Sequence, residues 1–252
     1  MPTLLRPMPP TRKPQPSLVT KKQPAQQRAT ETYERILEVT AQTLADVGIE
    51  RLSTNLVCER AGLTPPALYR YFPNKYALLS ELGQRLMQAQ NERVDRWITL
   101  EVFNGGVESL ERAVEGLIID TYEATVQTVG GVWIMRALRA VPALQQVRLA
   151  SHTAVTQEQA RLLAQALPEA DAAELALVSR IVVELIYATV EMIFDEPLDV
   201  KAVARTVAGM IASHLTRVRP TAKEPAPGST AKPATRKPRG ARPGASTNTS
   251  ER

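Results

Sequence analysis

Cysteine and histidine are scarce in this sequence, and that scarcity excludes most kinds of site chemistry. A single cysteine, Cys58, cannot form an intramolecular disulfide, so we expect a reducing, cytoplasmic environment and a packed thiol. The two histidines, His152 and His214, have no metal-ligand spacing, and no glycine-rich segment follows the pattern of a phosphate-binding loop. We expect His152 to be exposed and His214 to face a seam between helices. The sequence therefore predicts no metal, no cofactor and no catalytic residue, and it does not favour an enzyme.

Long uninterrupted apolar runs are also lacking. The most apolar stretch, residues 176–194, contains Arg180, Glu184 and Glu191, whose charges would be costly in a bilayer. Residues 1–16 are broken by prolines and lack the apolar segment of a signal peptide. Aromatic residues make up only 4% of the chain, and alanine, leucine, glutamate and arginine recur without strand-like alternation. We therefore expect no membrane partner and an all-α fold.

The net charge of +5 is unevenly distributed along the chain. Residues 1–29 carry six basic residues and no acidic one, and residues 217–252 carry nine basic and two acidic residues, which leaves a net charge of −8 for residues 30–216. Both ends are rich in proline and poor in large apolar residues, so we expect disordered basic tails over 1–27 and 218–252. Such tails either attract a polyanion or only keep the ends soluble, and the sequence leaves both interpretations open.

Capping residues and helix breakers indicate about nine helices between the tails. The first is predicted to run to Val47 and to stop at Gly48. We expect a three-helix domain over 28–75 at the N-terminal side, followed by a larger helical domain over 76–217. The later helices are predicted at roughly 108–129, 132–140, 143–167, 172–195 and 199–217.

The segment from Ser53 to Lys75 has the features of a helix-turn-helix. Ser53 is a candidate N-cap for a short helix that Gly62 ends, and Thr64 is a candidate cap for the next helix, with a proline at its first position. That next helix, predicted over 65–71, is too short to be stable alone, since isolated helices need about 12 to 15 residues. Leu68 and Phe72, four residues apart, are predicted to anchor it.

The other side of this short helix is predicted to face DNA. We expect it to expose Ala67, Arg70 and Tyr71, with Tyr69 alongside, so that Arg70 reaches base edges in the major groove and the hydroxyl groups reach phosphates. A cluster of aromatic residues at helical spacing can also be the edge of a core, and this alternative stays open. The residues predicted to contact DNA are Arg28, Ser53, Thr54, Thr64, Pro65, Pro66, Ala67, Tyr69, Arg70, Tyr71 and Lys75.

Over residues 28–79 the sequence resembles the DNA-binding domain of the TetR family of transcriptional regulators. The pattern is carried by Ile36, Leu37, Ala61, Gly62, Thr64, Leu68, Tyr69, Tyr71, Phe72 and Lys75. Pro65 and Pro66 depart from it, because the family often has a polar residue and glycine there, whose backbone N–H groups can bind phosphate. We expect Thr64 and Ala67 to supply contacts at this end instead. The resemblance implies a regulator of transcription, most commonly a repressor released by a small effector, although activation stays open.

The family also implies a homodimer built from the last two helices of each protomer, and hence a near-palindromic operator. The sequence agrees, because apolar residues recur there at spacings of three and four, although a monomeric bundle is the alternative. The residues predicted at this interface are Val178, Val182, Leu185, Thr189, Met192, Val203, Val207, Met210 and His214.

Large, adaptable side chains in the middle helices are candidates for a small, largely apolar effector. The predicted pocket residues are Tyr122, Trp133, Met135, Arg136 and Tyr187. Each of them could equally be an ordinary core or surface residue. A competing reading of the whole chain is an architectural DNA binder with little sequence preference, driven by its basic tails.

Overall fold

Ten α-helices and one 3₁₀ turn make up the described chain. The structure, a computed structural model, describes residues 15–21 and 27–218, and no β-strand occurs among them. The all-α prediction is therefore confirmed. The helices are α1 (Gln27–Arg51), α2 (Thr54–Ala61), α3 (Pro65–Tyr69), α4 (Lys75–Trp97), α5 (Leu100–Asn104), α6 (Val107–Gln127), α7 (Gly131–Ala140), α8 (Gln145–Ala166), α9 (Ala172–Asp195) and α10 (Val200–Val218), with the 3₁₀ turn at Pro142–Leu144.

The predicted signals at both ends of α2 act where the sequence places them, whereas Thr64 precedes α3 without a side-chain cap hydrogen bond. The Ser53 hydroxyl accepts a hydrogen bond from the backbone N–H of Leu56, and Gly62 ends α2 in the left-handed conformation at φ +62°. Gly48, with φ +75°, interrupts α1 as expected, but the chain resumes helical geometry and α1 ends only at Arg51. The prediction missed one break: Ile98 takes an extended conformation after α4, which makes α5 a separate helix.

The helices that follow the helix-turn-helix pack against one another around a shared hydrophobic core. Helix α10 lies along α6, α9 lies along α8, and α4 reaches from the helix-turn-helix into contact with both α6 and α8. Helix α7 contacts α1 as well as α4, and there the indole ring of Trp133 lies beside Gly48, where a Cβ atom would be 3.6 Å from the ring. The second domain is thus connected to the first through α4 and α7.

Residues 15–21 differ from the disordered tail predicted over 1–27. They form an extended segment in which Leu18 is half-buried against the hydrophobic core. Residues 1–14, 22–26 and 219–252, which hold the rest of both predicted tails, lie outside the described residues. Within the described chain, none of the helices combines the length and the apolarity that crossing a membrane requires.

Candidate DNA-binding site and ligand cavity

Helix α3 is held against the first domain by the two side chains that the sequence singled out. Leu68 and Phe72 are both 0% exposed, which confirms the prediction that they anchor this helix. The ring of Phe72 stacks on that of Tyr33 in α1, with 4.9 Å between centroids. Because α3 has only five residues, this packing is what keeps it helical.

Tyr71 does not lie on the exposed side of α3. It is only 5% exposed, and its ring meets the ring of Tyr33 edge to face at 5.9 Å. The expected exposure is wrong because α3 ends at Tyr69, two residues earlier than predicted, and the chain then turns Tyr71 inward. Burial, followed by the nearby charge of Glu81, raises the pKa of Tyr33 to about 12, so the Tyr33 hydroxyl stays uncharged.

The exposed face of α3 is short and carries few backbone donors. Thr64, Pro65, Pro66, Tyr69 and Arg70 are exposed, and the two prolines have no N–H group. We expected Ala67 to contact phosphate. Its N–H instead donates to the carbonyl of Thr64 at 3.0 Å and is not free for an outside acceptor. Contacts at this end of α3 must therefore come from side chains.

The residues around α3 are positioned by contacts within the domain. The hydroxyl groups of Tyr69 and Thr54 are 2.9 Å apart, which links α3 to the start of α2. The Lys75 ammonium donates to the carbonyls of Leu52, at 3.2 Å, and Ile49, at 3.5 Å. An ammonium has three N–H groups, so Lys75 keeps one for an outside partner. Arg28, in the first turn of α1, is exposed.

Comparison with known proteins identifies this domain. Residues 36–82 match the sequence model of bacterial regulatory proteins of the tetR family. This domain is therefore similar to the DNA-binding domain of tetR-family regulators. A segment of 54 residues is 41% identical to the class C tetracycline repressor protein of Escherichia coli; it represents 21% of this chain and spans only 25% of that repressor.

Over most of its length the chain is also similar in fold to solved structures of regulators. SmeT, the repressor of the Stenotrophomonas maltophilia multidrug efflux pump SmeDEF, is similar with a TM-score of 0.55 and 20% identity, over 72% of this chain and 88% of that one. The fatty acid degradation regulator FadR of Bacillus halodurans is similar with a TM-score of 0.53 and 16% identity, over 77% and 98%. At these identities the likeness concerns the fold alone.

The helices that follow the helix-turn-helix enclose an apolar cavity of about 50 Å³. No charged side chain lines it; its polar lining comes from Thr121, Gln159, Ser179 and Tyr187. Ser179 is 2% exposed, and its hydroxyl has no hydrogen-bond partner among the described residues. An unpaired buried hydroxyl costs on the order of 1–3 kcal/mol, so this group is available to a ligand.

Only one predicted pocket residue, Tyr187, lines this cavity. Tyr122 instead stacks on Phe194 at 4.8 Å, and Trp133 lies over Gly48 at the contact with α1. Met135 and Arg136 border an open groove between α7 and α9, where Arg136 pairs with Asp195 at 2.7 Å. The five predicted residues therefore do not line one cavity of the described chain, and which of them contacts an effector stays a prediction.

His152 is buried, contrary to its predicted exposure. It is 1% exposed, its ring stacks on Tyr187 at 4.1 Å, and its Nδ1 lies 2.9 Å from Oε1 of Glu184. Burial lowers the pKa of His152 despite this carboxylate, so the ring is neutral at pH 7. Burial alone would raise the pKa of Glu184, but His152 and two neighbouring arginines hold it below its usual value. The exposed His214 does not face a seam within the protomer.

The last two helices each present apolar side chains outward. The predicted interface residues Leu185, Met192 and Met210 are 38%, 38% and 62% exposed. Other predicted interface residues face inward or are half-buried, namely Val178, Val182, Thr189, Val203 and Val207. The prediction missed Leu177 and Ile181, which are 60% and 56% exposed. Helix α9 has one apolar face toward the core and another toward the outside. The spacing of its apolar residues did not distinguish the two faces.

Proposed function

We propose that this protein is a transcriptional regulator that reads a near-palindromic operator as a homodimer and is released from it by a small effector. The observation that carries the proposal is a five-residue helix, anchored from below by Leu68 and Phe72, whose other side is exposed. The match of residues 36–82 to tetR-family regulators supports DNA as the partner. Repression in the bacterial cytoplasm is the mode we propose.

The exposed residues of α3 divide into two roles. Arg70 is suited to guanine, because its guanidinium can donate to O6 and N7 together in the major groove. Pro65, Pro66 and Ala67 offer apolar surface and no free N–H, which suits the methyl group of thymine better than a phosphate. Tyr69 and Lys75 keep donors for the DNA backbone, as do Ser53, Thr54, Thr64 and Arg28.

The outward apolar face of α9 and α10 supports the homodimer. Leu177, Ile181, Leu185 and Met192 follow one another at intervals of four, four and seven along α9, and Met210 is exposed on α10. A stripe of this kind is costly to leave in water and is self-complementary across a two-fold axis. Two protomers related in this way present two copies of α3 to successive turns of the same groove.

The cavity chemistry indicates what the effector is. An uncharged, mainly apolar lining excludes an ionised ligand, which would leave its charge unpaired. Ser179, Gln159 and Tyr187 can bind one or two polar groups. We therefore propose a neutral, largely apolar molecule that carries a hydroxyl, carbonyl or similar group near Ser179.

The size of the cavity suggests how binding would be transmitted. Ligand pockets usually occupy about 300–1,000 Å³, so a ligand can enter only if the surrounding helices move apart. One of these helices is α4, which lines the cavity with Val94 and begins directly after the helix-turn-helix. Displacing α4 would change the spacing of the two α3 helices in the dimer. An effector that binds this displaced conformation more tightly than the operator-binding one would weaken operator binding.

Selection from random duplex DNA tests the DNA-binding part. The dimer should enrich a two-fold symmetric sequence and bind it on the order of a thousandfold more tightly than random duplex. The Arg70→Ala variant should lose about 5- to 150-fold in affinity for that sequence, which corresponds to about 1–3 kcal/mol for a bidentate base contact. Arg112→Ala, which removes an exposed arginine of α6, is the matched control. Equal affinity for selected and random duplexes would favour an architectural DNA binder instead.

Sedimentation of an Ile181→Asp variant tests the dimer. Because Ile181 is 56% exposed, the folded protomer should tolerate the change, whereas a buried carboxylate at a dimer interface should shift the protein to monomers. A variant that stays as dimeric as the wild type at micromolar concentration would place the interface elsewhere.

A further inference from the structure

The open groove between α7 and α9 differs from the apolar cavity in both size and lining. Its volume is about 640 Å³, within the range of about 300–1,000 Å³ that is usual for ligand pockets. Met135, Met192 and Phe194 line it with adaptable apolar surface, while Arg136 and Arg139 pair with carboxylates along its sides. The groove therefore has room for a ligand without any separation of the helices, unlike the cavity.

A small recess adjoins this groove. The two share four lining residues, namely Met135, Arg139, Ala188 and Glu191. The recess is also lined by Arg148, His152, Glu184 and Tyr187. Its volume is about 20 Å³, which is enough for one water-sized group. Only the polar end of a molecule lying in the groove, such as a hydroxyl group, fits into it.

Two buried nitrogen atoms of the recess have no hydrogen-bond partner among the described residues, Nε2 of His152 and Nε of Arg148. The Nδ1 atom of His152 lies 2.9 Å from a carboxylate oxygen of Glu184. Because a carboxylate only accepts, Nδ1 holds the proton of the neutral ring and Nε2 is left as an acceptor. The Nε atom of Arg148 is a donor. Leaving both of them unpaired is costly, so the recess favours a ligand group that both donates and accepts.

The charged side chains that line the recess form pairs of opposite sign. Arg139 pairs with Glu191, and Arg148 lies 3.5 Å from Glu184. A carboxylate that entered the recess would meet two glutamates and the lone pair of Nε2, and an ammonium would meet two arginines. A neutral hydroxyl group avoids both repulsions, since it can donate to His152 and accept from Arg148 at the same time.

We propose that the groove between α7 and α9 is a second ligand site, which takes a neutral, mainly apolar molecule and binds its hydroxyl group in the recess between His152 and Arg148. This site goes beyond the proposed function, which assigns release from DNA to the apolar cavity. Tyr187 lines both the cavity and the recess, so the two sites share one wall. Met192 lines the groove and also belongs to the outward stripe of α9, so the groove opens beside the proposed dimer interface.

Three naphthalene derivatives of similar shape test the site on the full wild-type chain. 2-Naphthol can donate and accept, 2-methoxynaphthalene can only accept, and 2-naphthoate is an anion. Their dissociation constants are measured by isothermal titration calorimetry at neutral pH. 2-Naphthol should bind about 2- to 12-fold more tightly than the ether, the equivalent of one net hydrogen bond, and the anion should bind most weakly. Equal binding of naphthol and ether, tightest binding of the anion, or no binding of naphthol because a second protomer covers the groove would each overturn the proposal.

Substitutions at His152 locate the bound hydroxyl group. His152→Asn keeps a donor toward Glu184 but removes Nε2, so it should abolish the preference for naphthol over the ether. His152→Gln has a longer side chain that reaches the position of Nε2 and should keep part of the preference. If Ser179→Ala removes the preference and His152→Asn does not, the hydroxyl group lies in the apolar cavity and the proposal is wrong.

A blocking substitution tests the groove without touching the core. Ala188 is exposed and lines both the groove and the recess, so Ala188→Phe should fold normally and still weaken naphthol binding by about tenfold or more, because its ring takes the place of the ligand. Ala173→Phe, at an exposed position of the same helix outside the groove, is the matched control and should bind as the wild type does. Unchanged affinity in Ala188→Phe, or an equal loss in the control, would overturn the proposal even if the changes at His152 unfold the protein. No DNA is present in these measurements, so their failure would leave the proposed function standing.

Discussion

Leu68 ties α3, the helix that we propose reads DNA, to the rest of its domain, and Leu68→Ala should therefore affect DNA binding beyond its effect on stability. The side chain is 0% exposed, and a buried leucine replaced by alanine costs about 2–5 kcal/mol of unfolding free energy. This loss is a large fraction of the total free energy of unfolding of an ordinary protein, about 5–15 kcal/mol. A folded population of the variant should still remain at low temperature. In that population the five residues of α3 lose half of their anchor, and a helix of this length does not persist without packing.

The assay compares two leucines of equal burial. Leu144, in the 3₁₀ turn of the second domain, is also 0% exposed, so Leu144→Ala is expected to lower the urea midpoint by a similar amount. Operator affinity is then measured at a temperature where circular dichroism shows both variants to be folded. Leu68→Ala should bind at least tenfold more weakly than Leu144→Ala. Equal operator affinities for two equally destabilised variants would refute the idea that the packing of α3 controls DNA recognition.

Three further substitutions test separate contacts. Gly62→Ala should lower the free energy of unfolding, measured by urea titration, by about 1 kcal/mol. The cause is backbone strain alone, because φ at this position is +62° and an added Cβ atom would have no neighbour closer than 3.7 Å. Lys75→Met should lower the thermal midpoint through the lost carbonyl contacts and reduce the salt slope of operator binding by about 0.9, and an unchanged midpoint would contradict those contacts. For His152, the lowered pKa means that the unfolded chain takes up a proton first, so stability should fall as pH drops from about 7 to 5.5. A His152→Gln variant should show a flatter dependence of the urea midpoint on pH, and an equally steep one would assign the effect to other groups.

Local signals in the sequence predicted the first domain well, because each acts within a few residues. Ser53, Gly62 and Asn74 cap or end their helices through contacts at most three or four positions away. The sequence predicted Leu68 and Phe72 as anchors because residues four apart lie on the same side of a helix, and a short helix has only one side that can pack against its domain. Tyr71 shows the limit of this reasoning: ending α3 two residues earlier was enough to reverse the direction of its side chain.

The second domain was harder to predict because its contacts are distant in sequence. The cavity combines residues of α4, α6, α8, α9 and α10, and no periodicity within one helix indicates which of its apolar residues meet those of another. His152 appeared exposed from its polar neighbours, yet its partners Glu184 and Tyr187 come from α9. The packing of residues 15–21 could not be predicted either, since Leu18 and Val19 are a short apolar pair among prolines and polar residues, and only its folded neighbours give Leu18 a place to pack.

The small cavity has a kinetic consequence. At about 50 Å³ it has room for one or two water molecules, given roughly 30 Å³ for each in the liquid, so the cavity at rest offers almost no vacant site. The proposed effector would therefore enter only after the helices around the cavity have separated. Its association rate should then level off at high effector concentration, at the rate at which the protein itself opens. Sensitivity to the signal would be set as much by the stability of the closed state as by the contacts that the effector makes.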